Sequence, residues 1–275
     1  MLNLTQRSYF YLVAGLPDLA LQQTQMSLGL RGWIGVLEKN GTPADLQQLQ
    51  LLRLPADHHN LLAWLYKEDT PDWKDTACYP GEELIDGLQS GKGLPGYIHE
   101  VYDGFRQKKD PPRRLVVEHE LTEKYYAFAL PRAKGLTQAW LSFDRNLRNL
   151  LSAWNRRKHH LTAEQQVVGQ NDITQAIHRN AQARDFGLGQ AYPRWYWWVH
   201  EADADGLLER QQNLNRIRWN FIEEQLRFAY FSFDVLLGYF LKLQILESRL
   251  GPDAQRGQER LDHYIEQIAE QFSLL

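Results

Sequence analysis

The chain has one cysteine, Cys78, among 275 residues. That excludes an internal disulfide framework and a zinc site built from several thiolates, and it fits a reducing compartment. Charge of one sign is not in excess: the formal net charge is −3, so nothing in the overall balance points to nucleic acid, which calls for a basic domain. Long apolar runs are missing as well. The most apolar long stretch, Phe228 to Leu246, is interrupted by Asp234, Lys242 and Gln244 and makes a poor membrane span. The opening "MLNLTQRSYFYLVAGLPDLAL" has only a short apolar core, Tyr9 to Leu16, so no secretory signal is expected. These absences lead to the expectation of a soluble, cytoplasmic protein. Almost no segment alternates with period two, which removes half-buried strands from consideration.

What is abundant is aromatic. Nine Trp and 13 Tyr suit broad helix faces packed on one another, or surfaces that meet a partner. Thr42-Pro43-Ala44-Asp45 reads as a helix start, with Thr42 as cap and Pro43 at the first helical position. That helix is expected to stop at about Leu54, before Pro55, and a second to begin near Asp57. Glu68 to Gly81 reads as loop, followed by helices over Glu82–Gln89 and Pro95–Lys108. The tandem prolines of "QKKDPPRR" make a firm break. Val117, Leu121, Tyr125 and Phe128 recur at helical spacing. The strongest amphipathic pattern is Leu136, Trp140, Phe143, Leu147, Leu150, Leu151 and Trp154, ending in Arg156-Arg157-Lys158, cations that complement a helix C-terminus. A capping-box pattern at Thr162, a helix near Asn171-Asp172 and an aromatic cluster over Tyr192–Val199 come next. Two long helices over Asp203–Leu250 follow, broken near Phe231-Ser232-Phe233, then a polar helix with Leu261, Ile265, Ile268 and Phe272 on one face. Asp234 reads as a first-turn acid behind Ser232 as N-cap. The expected architecture is all-α: antiparallel helices with short loops, one domain over 1–275 with a soft boundary near 109–113.

Two triplets in "IHRNAQARDFGLG" imitate a protein kinase. Position 180 is Asn where the catalytic base belongs, only Ala181 to Arg184 separate the triplets, and no glycine-rich phosphate loop precedes a strand lysine. The alternative is a helix exit in which Phe186 packs inward, Gly187 takes positive φ, and Arg184 and Asp185 satisfy backbone groups or each other. The doublets His58-His59 and His159-His160 do not place two ligands on one helix face. His99-Glu100-Val101-Tyr102-Asp103 has no second histidine for a zincin site. No cofactor is expected, and no nucleophile–base pairing is legible. Two basic clusters stand out: Lys108-Lys109 with Arg113-Arg114, and Arg145, Arg148, Arg156 and Arg157. The second is a candidate partner-binding surface, since a local patch steers an acidic partner whatever the net charge. "DHHNLLAWL" from Asp57 also echoes "DRNLRNLLSAW" from Asp144, with an acid ahead of Asn-Leu-Leu and an Ala-Trp pair after it. Repeated helical units explain this echo, and so does chance similarity between two leucine-rich helices.

Five stretches together, "YFYLVAGLPDLAL", "HNLLAWL", "FDRNLRNLLSAWNRRK", "ARDFGLG" and "LLGYFLKLQILESR", resemble an uncharacterised bacterial family encoded with V/A-type ATPases. That family resembles a divergent form of the C/d-type stalk adaptor of those ATPases. The resemblance runs from about Tyr9 to Leu250. It implies an all-α funnel of repeated helical units, non-catalytic, on the cytoplasmic face of the inner membrane. Its partners would be the central-stalk subunits and the proteolipid ring. The recurring acid-then-Asn-Leu pattern of the C/d-type adaptor is matched by Asp57, Asn60 and Leu61, and by Asp144, Asn149 and Leu150 with shifted spacing. Gly238-Tyr239, Glu247 and Arg249 match its last unit. Two other readings stay open: an all-α enzyme or small-ligand binder, and an assembly factor for the same ATPase.

Overall fold

The computed structural model describes residues 9–26, 28–68, 73–158, 167–190, 192–204 and 206–250. Among these every regular element is helical, as the spacing predicts. The N-terminal part holds α1 (Phe10–Ala14) and α2 (Leu30–Asn40). Then come α3 (Pro43–Leu65), α4 (Gly81–Ser90), α5 (Gly96–Arg106) and α6 (Arg114–Ala129). A 3₁₀ turn (Leu130–Arg132) leads to α7 (Gly135–Lys158), α8 (Asp172–Arg179), α9 (Pro193–Ala202), α10 (Leu207–Leu226) and α11 (Phe233–Leu250). The patterns read at Thr162 and over 261–272 fall outside the described residues, as does the His159-His160 doublet.

The order of lengths repeats. Helices of 23, 10, 11 and 16 residues (α3–α6) are followed by helices of 24, 8, 10 and 20 (α7–α10). Packing repeats too: α3 meets α4 and α6 while α5 lies on α6, and α7 meets α8 and α10 while α9 lies on α10. Helix α11 closes the arrangement against α2, α7 and α10, and α3 meets α7 across the two units. Lys108–Arg113 connects α5 to α6, inside the first unit. One large core runs from α2 through α7 and on to α11, with two smaller clusters around Phe186 and Phe143 in the second unit.

Pro55 does not end a helix. It lies inside α3, which continues to Leu65. Proline lacks the N–H that would bond the carbonyl four residues back, here that of Leu51. Tyr125 of α6 supplies the missing donor: its hydroxyl donates to the Leu51 carbonyl at 2.8 Å in a buried setting. The start of the same helix is as expected, with Thr42 and Asp45 in a reciprocal capping box and Pro43 in the first turn.

Helix starts elsewhere are capped from a distance. The Ser232 hydroxyl is buried without a partner among the described residues and caps nothing, while Asp234 is, as expected, an acid in the first turn of α11. Its carboxylate accepts the Leu136 N–H in the first turn of α7, and burial still pushes its pKa up. Gly135 makes this approach feasible. It takes φ +52, and a Cβ there would lie 2.5 Å from an Asp234 carboxylate oxygen. Glu247 of α11 likewise accepts the Leu30 N–H at 2.7 Å at the start of α2, where Gly29 offers no side-chain cap. Helix α2 itself carries little signal in the sequence. Its buried stripe is short (Leu30, Trp33, Ile34 and Leu37) and is interleaved with glycines.

Candidate functional site

The polar residues that recur in the sequence act first on the backbone. Asn60, buried in α3, clamps Lys74: Nδ2 donates to the Lys74 carbonyl at 3.1 Å and Oδ1 accepts its N–H at 2.7 Å. Asn149, buried in α7, does the same to Val168, at 2.9 and 2.8 Å. Each amide satisfies both groups of one residue in the segment that leads to the next short helix. Inside a low-dielectric interior such a pair fixes the path of the chain. Three residues earlier on each helix a second polar side chain pins the start of that short helix. Asp57 accepts the N–H groups of Cys78 and Tyr79 at 3.0 and 2.9 Å, just before α4. Asn146 accepts from Nδ2 of Asn171, the N-cap of α8, at 2.7 Å. The counterpart of Asp57 in space is therefore Asn146. Asp144 has a different task, accepting the Tyr126 hydroxyl at 2.9 Å and facing Arg218 at 3.5 Å.

The kinase-like letters form a turn after α8. Phe186 is buried with φ +52 and Gly187 follows at φ +71. The Asp185 carboxylate accepts the N–H of Gly187 at 3.0 Å and of Gly189 at 2.9 Å, and these two donors hold its pKa below the usual carboxylate range. The Arg184 carbonyl accepts from Arg157 at 2.8 Å. The Arg157 guanidinium also donates to the Ala183 carbonyl at 2.5 Å and lies over the rings of Trp154 and Phe186, 4.7 and 4.5 Å from their centroids. The four arginines singled out on α7 thus have different surroundings. Arg157 locks this turn, Arg145 is half-buried beside Gly169, Arg156 is half-exposed near the helix end, and Arg148 turns toward a cleft.

That cleft, of about 280 Å³, opens where α3, α6, α7, α10 and α11 converge. Leu52, Pro55, Trp140, Leu241 and Ile245 are among its apolar lining, and Asp144, Arg148, Asn215 and Arg218 among its polar lining. His58 lines it as well. The His58 Nε2 meets the Tyr97 hydroxyl at 2.6 Å, and its ring stands edge-on to Tyr97 and Tyr125. Burial, with the Arg148 charge nearby, drives its pKa down to about 3, so the imidazole is neutral. Burial pushes the neighbouring Asp57 up to about 6, against the N–H donors of Tyr79 and Cys78. Burial and the Asp57 charge also push the Cys78 thiol up, so it is a poor nucleophile. Asn215 and Arg218 are not among the candidates that the sequence suggests. A signal for Asn215 existed: it shares the buried stripe of α10 with Trp219 and Ile222, where a polar residue stands out.

A separate aromatic patch is exposed at the α10–α11 turn. Phe228, Tyr230 and Phe231 lie there, and Phe10 meets Phe231 at 4.6 Å with Tyr11 beside it. Among the described residues no group of three or more His, Cys, Asp or Glu is placed to hold a metal ion. No helix among them is long and apolar enough to cross a membrane.

No curated protein and no solved structure matches the chain. Residues 6–272 match a family described as "Protein of unknown function (DUF2764)", and the chain belongs to that family.

Proposed function

We propose that the chain is a non-catalytic central-stalk adaptor of a bacterial V/A-type ATPase, linking the rotor shaft to the membrane proteolipid ring. The observation that carries this reading is the duplicated four-helix unit. Each copy is pinned by a buried Asn on the motif through which the sequence resembles the C/d-type adaptor. An adaptor that transmits torque must resist deformation. Helix starts held by carboxylates from other helices, and a core rich in interlocked rings, favour such stiffness.

The reading requires two protein-contacting faces. The aromatic patch around Phe228 and Phe231 is one candidate, and the α7 arginines that reach solvent, Arg148 and Arg156, belong to another. It puts the protein on the cytoplasmic face of the inner membrane through protein contacts alone, in a funnel-like form. Charge reversal at Arg148 and Arg156 is expected to weaken assembly while leaving the helical content unchanged. Assembly unaffected by both reversals would remove that face from the proposal. Stoichiometry in the purified complex separates a permanent component from an assembly factor: one copy per rotor marks the permanent component.

A further inference from the structure

The convergence cleft has more hydrogen-bond donors than the fold uses. Arg218 touches Asp144 through one nitrogen at 3.5 Å, and Arg148 reaches Glu118 through one nitrogen at 3.6 Å. A guanidinium carries five N–H donors in a fixed fork, so each of these long, single contacts leaves most of the fork uncommitted. Asn215, only 2% exposed, lines the same cleft. Its Oδ1 accepts from Gln211 at 3.1 Å, while its Nδ2 is buried with no partner among the described residues. Buried polar groups without partners are rare in native proteins, and each calls for a reason.

The charge and shape of the cleft narrow the ligand. Two arginines and one aspartate line it, with Glu118 beside Arg148 outside the lining, so the guanidinium forks are the groups that offer charge to an anion. A planar carboxylate matches the arginine fork, and Trp140, Leu241 and Ile245 in the same lining offer apolar surface to the rest of the molecule. At about 280 Å³ the volume falls just below the roughly 300–1,000 Å³ of drug-sized ligand pockets, which suits a small ligand. We propose that this cleft binds a small organic monocarboxylate. Its carboxylate is held by Arg148, Arg218 and the Nδ2 of Asn215, and its apolar body lies against Trp140, Leu241 and Ile245. The site joins α7 and α10 of the second unit to α3 and α6 of the first, so an occupant ties the two units together. The inference does not depend on the stalk reading.

Titration of the full chain with benzoate, followed by calorimetry and by tryptophan fluorescence, tests it. Saturable benzoate binding is expected, with the neutral isostere benzamide at least tenfold weaker and inorganic phosphate unable to displace benzoate. Arg148→Gln and Arg218→Gln are each expected to weaken benzoate at least tenfold, while Arg227→Gln, an exposed arginine at the end of α10, leaves it unchanged. Arg148→Gln decides the matter if Arg218→Gln fails to fold, because Arg148 is the more exposed of the two. Absent benzoate binding, equal binding of benzamide, or displacement by phosphate overturns the proposal. So does Arg148→Gln that spares benzoate affinity.

Discussion

Replacing Tyr125 by Phe removes one oxygen from the core, and its consequence depends on a proline on another helix. Pro55 deprives the Leu51 carbonyl of its helical donor, and the Tyr125 hydroxyl donates to that carbonyl at 2.8 Å with Tyr125 and Leu51 both buried. Leaving a buried acceptor unpaired costs about 1–3 kcal/mol. Tyr125→Phe is therefore expected to lower the unfolding free energy by that amount. Pro55→Ala supplies an N–H that points at the same carbonyl, so it should recover most of the loss in the Tyr125→Phe background. In the wild-type background it adds a donor to an acceptor already served, so its benefit there is confined to relief of proline's helix-interior penalty. Urea unfolding of the four proteins in a double-mutant cycle reads the coupling, expected at about 1–2 kcal/mol. Additive effects, within about 0.5 kcal/mol, would refute the idea that Tyr125 compensates for Pro55.

The adjacent pair Asp57 and His58 gives opposite pH dependences. Asp57 has a folded pKa raised to about 6 from 3.8, so its contribution is fully present below about pH 4 and is lost as pH rises to 6. The stability difference between wild type and Asp57→Asn should therefore fall across that window by up to about 3 kcal/mol, at about 1.4 kcal/mol per tenfold change in proton affinity. His58 is depressed to about 3 from 6.5, so its contribution is present above about pH 6.5 and is lost as pH falls toward 3. Wild type minus His58→Gln should run in the reverse direction, by up to about 5 kcal/mol. Matching slopes for the two variants in chemical denaturation would contradict these assignments. Gly135→Ala forces a Cβ against the Asp234 carboxylate and an L residue into left-handed φ, and is expected to cost about 1–3 kcal/mol. Hydrogen exchange at the Leu136 amide should quicken with it, and unchanged protection there would argue against the Asp234 cap. Asn60→Leu and Asn149→Leu each strand a backbone N–H and C=O, so losses of about 2–4 kcal/mol, similar at the two sites, are expected in thermal or urea unfolding. A loss at one site only would break the equivalence of the two units.

How far the sequence revealed this fold depended on whether the decisive contact was local. The helical spacing of Val117, Leu121 and Tyr125, the run from Leu136 to Trp154, the cap at Thr42 and the helix start near Asn171-Asp172 all depend on neighbours within a few residues, and each appears where expected. Pro55 misled because its compensation comes from a tyrosine 74 residues from Leu51. Asp234 is the first-turn acid its position suggests, but its bond to the start of α7 is one that only packing reveals. The echo between Asp57 and Asp144 pointed to the right helices and the wrong acid. Matching by residue type chose Asp144, whereas the geometry pairs Asp57 with Asn146, whose amide oxygen accepts as the carboxylate does. The cleft was out of reach for a simpler reason: its lining comes from five helices, and no short window contains more than a fragment of it.

The central claim, an adaptor between shaft and ring, is tested most directly by affinity purification of the tagged full chain from its native cells, with the copurifying subunits identified and counted. The account predicts the V/A-type central-stalk subunits and the proteolipid together, one copy of this chain per rotor, reduced by charge reversal at Arg148 and Arg156. An intact ATPase that purifies without this chain, with no stalk or ring component bound to it, would contradict the account.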